Sequence, residues 1–126
     1  MSVPANLKYT KDHEWLKVEG DHAFIGITDF AQHELGDIVF VEVETVGESL
    51  GKHESFGTIE AVKTVSDMFM PVSGEVMEFN DGLTTTPEII NQDPYEKGWV
   101  IKIKISDPAE LNELLDAAQY AALIGE

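Results

Sequence analysis

The chain has 126 residues, 24 acidic side chains against 8 lysines, no arginine, no cysteine and a formal charge of −16. That length suits one domain with a single core. So acidic a surface repels phosphate backbones and anionic lipid, which excludes nucleic-acid and membrane-surface binding.

Without cysteine there are no disulfides, thiolate metal sites or cysteine nucleophiles, so any sulfur redox chemistry must arrive on a cofactor. The acidic balance serves solubility, and it also suits a mobile protein that docks briefly on basic partner surfaces. No stretch approaches the roughly 20 apolar residues of a membrane span. Met1–Asn6 lacks the basic start and apolar run of a secretory signal, and a mitochondrial presequence would need arginine. The expectation is a cytoplasmic, prokaryotic protein; a processed eukaryotic form would belong in the mitochondrial matrix.

In chain order, His13–Val18 and His22–Ile27 are β-prone, with Glu19-Gly20-Asp21 as the hairpin turn between them. Thr28-Asp29 caps a short helix through Glu34 or Leu35, with Gly36 as its stop. Ile38–Val43 is a strand, and Gly47 and Gly51 bracket a loop. Ser55–Met70 is β-prone but too long for one strand of about 5–6 residues. It must fold back, yet it holds no Gly, Pro or Asn between Gly57 and Pro71 to say where.

Pro71–Gly74 is a turn, Glu75–Phe79 a strand and Asn80-Asp81-Gly82 another turn. Thr86-Pro87-Glu88 starts a helix, with proline in the first helical position. Trp99–Ile105 alternates as the last strand. Asp107-Pro108-Ala109-Glu110 predicts a capping box and a helix over Pro108–Leu115, and Asp116 with Gln119 predicts a second over Ala117–Ile124. Gly36-Asp37-Ile38-Val39 and Gly74-Glu75-Val76-Met77 echo each other weakly. Trp15 and Trp99 read as core anchors.

The chemistry-bearing residues are few. His13, His22, His33 and His53 have no metal-ligand spacing, and no Ser-His-Asp set or phosphate-cradling loop is present. Lys63 differs from the other lysines because Val62, Thr64 and Val65 surround it in a β-prone run. Such a lysine is either an edge-strand gatekeeper against aggregation or a modification site at a hairpin tip.

Ile59-Glu60-Ala61-Val62-Lys63-Thr64 followed by Pro71-Val72-Ser73-Gly74-Glu75-Val76 resembles a lipoyl or biotinyl attachment hairpin. In that superfamily the modified lysine sits at the tip, which places the missing fold-back at Lys63. Biotin carriers flank the lysine with methionines, where Val62 and Thr64 stand here. His13-Glu14-Trp15, Gly26-Ile27-Thr28-Asp29, Leu35-Gly36-Asp37-Ile38-Val39-Phe40-Val41-Glu42, Asn91-Gln92-Asp93-Pro94-Tyr95 and Gly98-Trp99 resemble the glycine cleavage H proteins over almost the whole chain.

That resemblance implies a mainly β fold: a lipoyl-domain-like sandwich of antiparallel sheets, a flattened barrel, with short peripheral helices and a C-terminal helical segment. It implies one carrier domain over 1–126, with the lipoyl hairpin at about 55–79 and the C-terminal helices at about 108–124. It implies lipoate in amide linkage to Lys63, and Glu60 as a feature read by a lipoylating enzyme (a lipoate ligase or a lipoyl or octanoyl transferase). Glu14 and Asp67 match carboxylates of a surface cleft that holds the loaded arm, where they would accept charge-assisted hydrogen bonds from the cargo amine. No catalytic residue and no metal are implied. The partners would be the P, T and L proteins: glycine decarboxylase, aminomethyltransferase and a flavin dehydrogenase. A monomer suits a shuttle.

Two positions depart from the family pattern. Glu34 stands where many members have histidine before the leucine, and His33 lies one position earlier, rotated by about 100 degrees on a helix. Ile59-Glu60-Ala61 stands where Val-Glu-Ser is commoner. The competing readings are an H-like carrier used in lipoate assembly or transfer, a biotin carboxyl carrier, and an enzyme using Lys63 with a depressed pKa in a pocket.

Overall fold

The computed structural model describes residues 1–126. The chain opens with β1 (Lys8–Tyr9), β2 (Glu14–Glu19), β3 (His22–Ile27), α1 (Asp29–Leu35) and β4 (Ile38–Glu42). There follow β5 (Ser49–Leu50), β6 (Ser55–Ala61), β7 (Val65–Phe69) and β8 (Gly74–Phe79). Two one-turn helices, α2 (Gly82–Thr85) and α3 (Ile89–Gln92), precede β9 (Ile101–Ile105), a 3₁₀ helix (Pro108–Glu113) and α4 (Ala117–Leu123). No helix is long and apolar enough to cross a membrane.

The strands form two antiparallel sheets, one in the order β1-β2-β3-β9-β8-β5 and the other β4-β6-β7. Period-2 alternation turns Leu16, Ile25, Ile101 and Ile103 inward from the first sheet and Val41, Ile59 and Met68 inward from the second. These meet with Phe56, Met70, Val72, Val76 and Val100 in the main core. A second cluster of Leu7, Tyr9, Trp15 and Tyr120 seals the N-terminal strands under α4. Tyr9 and Tyr120 stack there with ring centroids 4.7 Å apart.

The sheets do not close into a barrel, which corrects the flattened-barrel expectation. Side chains meet the edges of the small sheet where closure would need strands. The Ile38 N–H of β4 donates to Asn91 Oδ1 and the Phe69 N–H of β7 donates to Glu14 Oε2. The hairpin proper is β6–β7, over Ser55–Phe69, whereas Gly74–Phe79 runs in the other sheet, between β9 and β5.

Other departures have identifiable causes. Asp107 caps through the Ala109 N–H, but the Glu110 carboxylate accepts from the Ser73 N–H and hydroxyl instead of closing a capping box. That segment is therefore a 3₁₀ turn, and Leu115 leaves it to exchange backbone hydrogen bonds with Tyr9. α4 does carry a complete capping box between Asp116 and Gln119. Strand β9 begins at Ile101, and Trp99 is half-buried against Phe24, at 5.2 Å between centroids, on the outer face of the large sheet.

Candidate functional site

The fold-back inside the long β-prone segment falls at Val62-Lys63-Thr64. Two-residue hairpin loops ordinarily need positive φ and therefore Gly or Asn. None of these three residues has positive φ, so the turn carries no sequence marker. It is held by the Ala61 N–H donating to Thr64 O at 2.8 Å and the Val62 N–H donating to Asp37 O at 3.0 Å.

Lys63 is exposed at this tip, with Val62 75% and Val65 62% exposed on either side. Its stem lies over Gly36, the stop of α1, where φ is +82° and an added methyl would sit 3.5 Å from Lys63 Cε. Glu60 is exposed on β6, paired across the sheet with Phe40 and Val65.

Along the β7 side of this hairpin runs a cleft of about 280 Å³. One wall is Ser66, Asp67 and Met68; another is α1, through Phe30, Ala31, Glu34 and Leu35; the third is Asp12, His13 and Glu14. Its carboxylates are Asp12, Glu14, Glu34 and Asp67, and its apolar floor includes Ile27, Ile59 and Met68. Glu14 and Asp67 are thus brought together, while Glu60 stands outside. His33 is exposed and does not line the cleft, and Glu34 does.

Glu14 is the chemically unusual member. Only 3% exposed, it accepts from the Thr10 hydroxyl at 2.7 Å and the Phe69 N–H at 3.3 Å, with no cationic partner. Burial pushes its pKa from 4.5 up to about 7, against the pull of those two hydrogen bonds. Asp67 is exposed and accepts from the Ser55 hydroxyl at 3.1 Å.

His13 is the residue that spacing arguments missed. It occupies the left-handed region at φ +70°, packs its ring, tilted by 35°, on Phe30 at 4.8 Å between centroids and places Nδ1 2.8 Å from Tyr120 Oη. A non-glycine residue with positive φ is a signal only coordinates reveal. In the sequence Asn91 stands only as the first residue of the Asn91-Gln92-Asp93-Pro94-Tyr95 motif. Its side chain accepts from the Ile38 N–H and donates to Gly36 O and Gln32 Oε1, which locks α1, the Lys63 seat and β4 together.

Comparison with known proteins accords with this geometry. Residues 7–126 match the family described as glycine cleavage H-protein. The chain is similar to the glycine cleavage system H protein of Chlorobium limicola, 62% identical over the full length of both. That of Bacteroides thetaiotaomicron is 56% identical over 98% of each chain. The crystal structure of a glycine cleavage system H protein from Mycobacterium marinum superimposes with a TM-score of 0.90 at 38% identity, covering 98% of this chain and 100% of that one. A tip lysine beside an acidic cleft, on a chain matched from end to end, makes this a member of the glycine cleavage H-protein family, the lipoyl carriers of the glycine cleavage system.

Proposed function

We propose that Lys63 carries the lipoyl group in amide linkage and that the chain, a single domain over 1–126, is a non-catalytic, monomeric carrier in the cytoplasm. It takes the aminomethyl group of glycine from the P protein to the T protein and is reoxidised by the L protein. The observation that carries this reading is the placement of Lys63: exposed at a hydrogen-bonded hairpin tip, at the end of the hairpin whose β7 wall borders the carboxylate-lined cleft.

The cleft fits such a group. Ile27, Phe30, Leu35, Ile59 and Met68 supply an apolar surface for a hydrocarbon arm, and the carboxylates suit a cationic amine. When bound, lipoate supplies a disulfide ring that opens to take up the aminomethyl cargo.

The protein's own residues bind and shield. Glu14 and Asp67 accept hydrogen bonds from the cargo amine. Glu14 is partly protonated near neutral pH, and an arriving ammonium favours its ionised form by giving the buried charge a partner. Acylation removes the Lys63 charge, and tethering holds the cargo at an effective concentration on the order of millimolar for each docked partner. Glu60, three residues before the lysine and outside the cleft, is offered to the lipoylating enzyme.

Intact mass after incubation with lipoate, ATP and a lipoate ligase, followed by peptide mapping, tests the reading. One lipoyl addition at Lys63 is expected, and none in Lys63→Arg. No addition to the native chain by a ligase active on another carrier would sink it.

A further inference from the structure

His13 is tied to the C-terminal helix by a chain of hydroxyls. Thr28 is fully buried, and its Oγ1 already accepts the Ala31 N–H as the cap of α1. The acceptor left for the Thr28 hydroxyl hydrogen is Tyr120 Oη at 2.7 Å. Tyr120 is itself fully buried, and its hydroxyl hydrogen then has one place to go, His13 Nδ1 at 2.8 Å. Buried donors are nearly always satisfied. A proton on Nδ1 would leave one of these two hydroxyl hydrogens without an acceptor.

We propose that Tyr120 and Thr28 are positioning residues that hold His13 as the neutral tautomer with its proton on Nε2, so that the arm cleft keeps positive charge away from the seat of the cargo amine. The imidazole is locked in other ways too. Its backbone sits at φ +70°, fixed by the His13 N–H donating to Thr10 O and the Thr28 N–H donating to His13 O. Its ring is packed on Phe30.

The charges facing it pull the other way. Asp12 beside it and Glu34 on α1 favour the imidazolium, while Glu14 on β2 and Asp67 on β7 share the cleft. Burial outweighs Asp12 and Glu34, and the ring's pKa lies below its ordinary value. A cationic His13 would repel an ammonium and neutralise the carboxylates meant for it. The hydroxyl chain instead leaves the cleft anionic.

This inference rests on the cleft being the seat of the cargo amine, but its test does not require lipoate. Long-range ¹H–¹⁵N spectra of the full, unlipoylated chain should show His13 protonated on Nε2 alone at pH 7. Its titration midpoint should fall below the usual value of about 6.5. In Tyr120→Phe, which keeps the ring stacked on Tyr9, the midpoint should rise and an Nδ1-protonated population appear. On the lipoylated, cargo-loaded protein, the same variant should lose cargo spontaneously several-fold faster at mildly acidic pH than the native chain, and at the same rate at pH 8.

An Nδ1-protonated tautomer in the native chain would overturn the inference even if the variant failed to fold. So would an unchanged midpoint in Tyr120→Phe. Either result leaves the carrier reading standing, whereas absence of lipoylation at Lys63 sinks that reading and leaves the tautomer assignment intact.

Discussion

The Phe69 backbone N–H on β7 donates to the Glu14 carboxylate on β2 at 3.3 Å, so one buried acid spans the gap between the two sheets. That bond sits where a barrel would have had strand pairing. It also sits beside the cleft, so the residue proposed to receive the cargo amine also joins two of the cleft's three walls.

Glu14 therefore makes stability depend on pH. Its proton leaves near 4.5 in an unfolded chain and near 7 in the folded one. Between those values the folded state binds more protons, so this contribution is fully present below about 4.5, falls as pH rises, and is gone above about 7. Relative to Glu14→Gln, the native chain should lose about 3 kcal/mol across that window. Glu14→Gln should flatten the slope and be the more stable protein at pH 8, as read by urea melts at several pH values. A native slope that matches that of Glu14→Gln would contradict the burial of an unpaired carboxylate.

Gly36→Ala should cost about 1 to 3 kcal/mol, because φ +82° with ψ −155° is a region essentially confined to glycine. The added methyl also meets the stem of Lys63 at 3.5 Å. Thermal melts give the cost, which comes from the backbone, since 3.5 Å is an ordinary van der Waals contact. A variant as stable as the native chain would contradict the backbone conformation described for Gly36.

Asn91→Ala removes three hydrogen bonds and leaves the Ile38 N–H and the Gly36 carbonyl without their partner. A loss of about 2 to 6 kcal/mol is expected, at about 1 to 3 kcal/mol for each of the two groups left unsatisfied in a buried setting. Amide exchange at Ile38 should accelerate selectively, while exchange in β9 follows only the global loss.

Asp116→Ala should unravel the start of α4 at a cost of about 1 kcal/mol. Because Tyr120 rides on that helix, the His13 resonances should shift with it, although Asp116 does not line the cleft. Helix fraying without any change at His13 would separate the two.

Much of this fold was legible before any coordinates. The hairpin about Gly20, the Thr28 cap, the strand from Ile38 and the capping box at Asp116 are all written in local chemistry, and all form. The illegible parts are those where a distant partner decides. Glu110 turns to Ser73, so a helix shortens to a 3₁₀ turn. The break at Lys63 has ordinary dihedrals and leaves no glycine behind. The one-turn helices α2 and α3 occupy a stretch read only as a turn and a helix start.

The site divides in the same way. Glu14 and Asp67 could be paired only through a resemblance, because they lie on different sheets. His13-Glu14-Trp15 and Gly26-Ile27-Thr28-Asp29 were visible as words without reasons. Their contacts supply the reasons: the Trp15 ring lies across Gly26, where a methyl would approach it to 2.8 Å, and Thr28 begins the hydroxyl chain to His13. The burial of Glu14, which makes it chemically distinctive, is a property of packing that no spacing records.

The turn at Val62-Lys63-Thr64 has one more consequence. Its backbone is pinned to Thr64 from within and to Asp37, the residue before β4, from outside the hairpin. The Cα of Lys63 is therefore a fixed pivot, and every degree of freedom of a group attached there begins in the side chain. Such an arm sweeps a volume anchored to the body of the protein. Each partner must then bring its reaction centre within that radius by docking, and the geometry of the docked complex selects the destination.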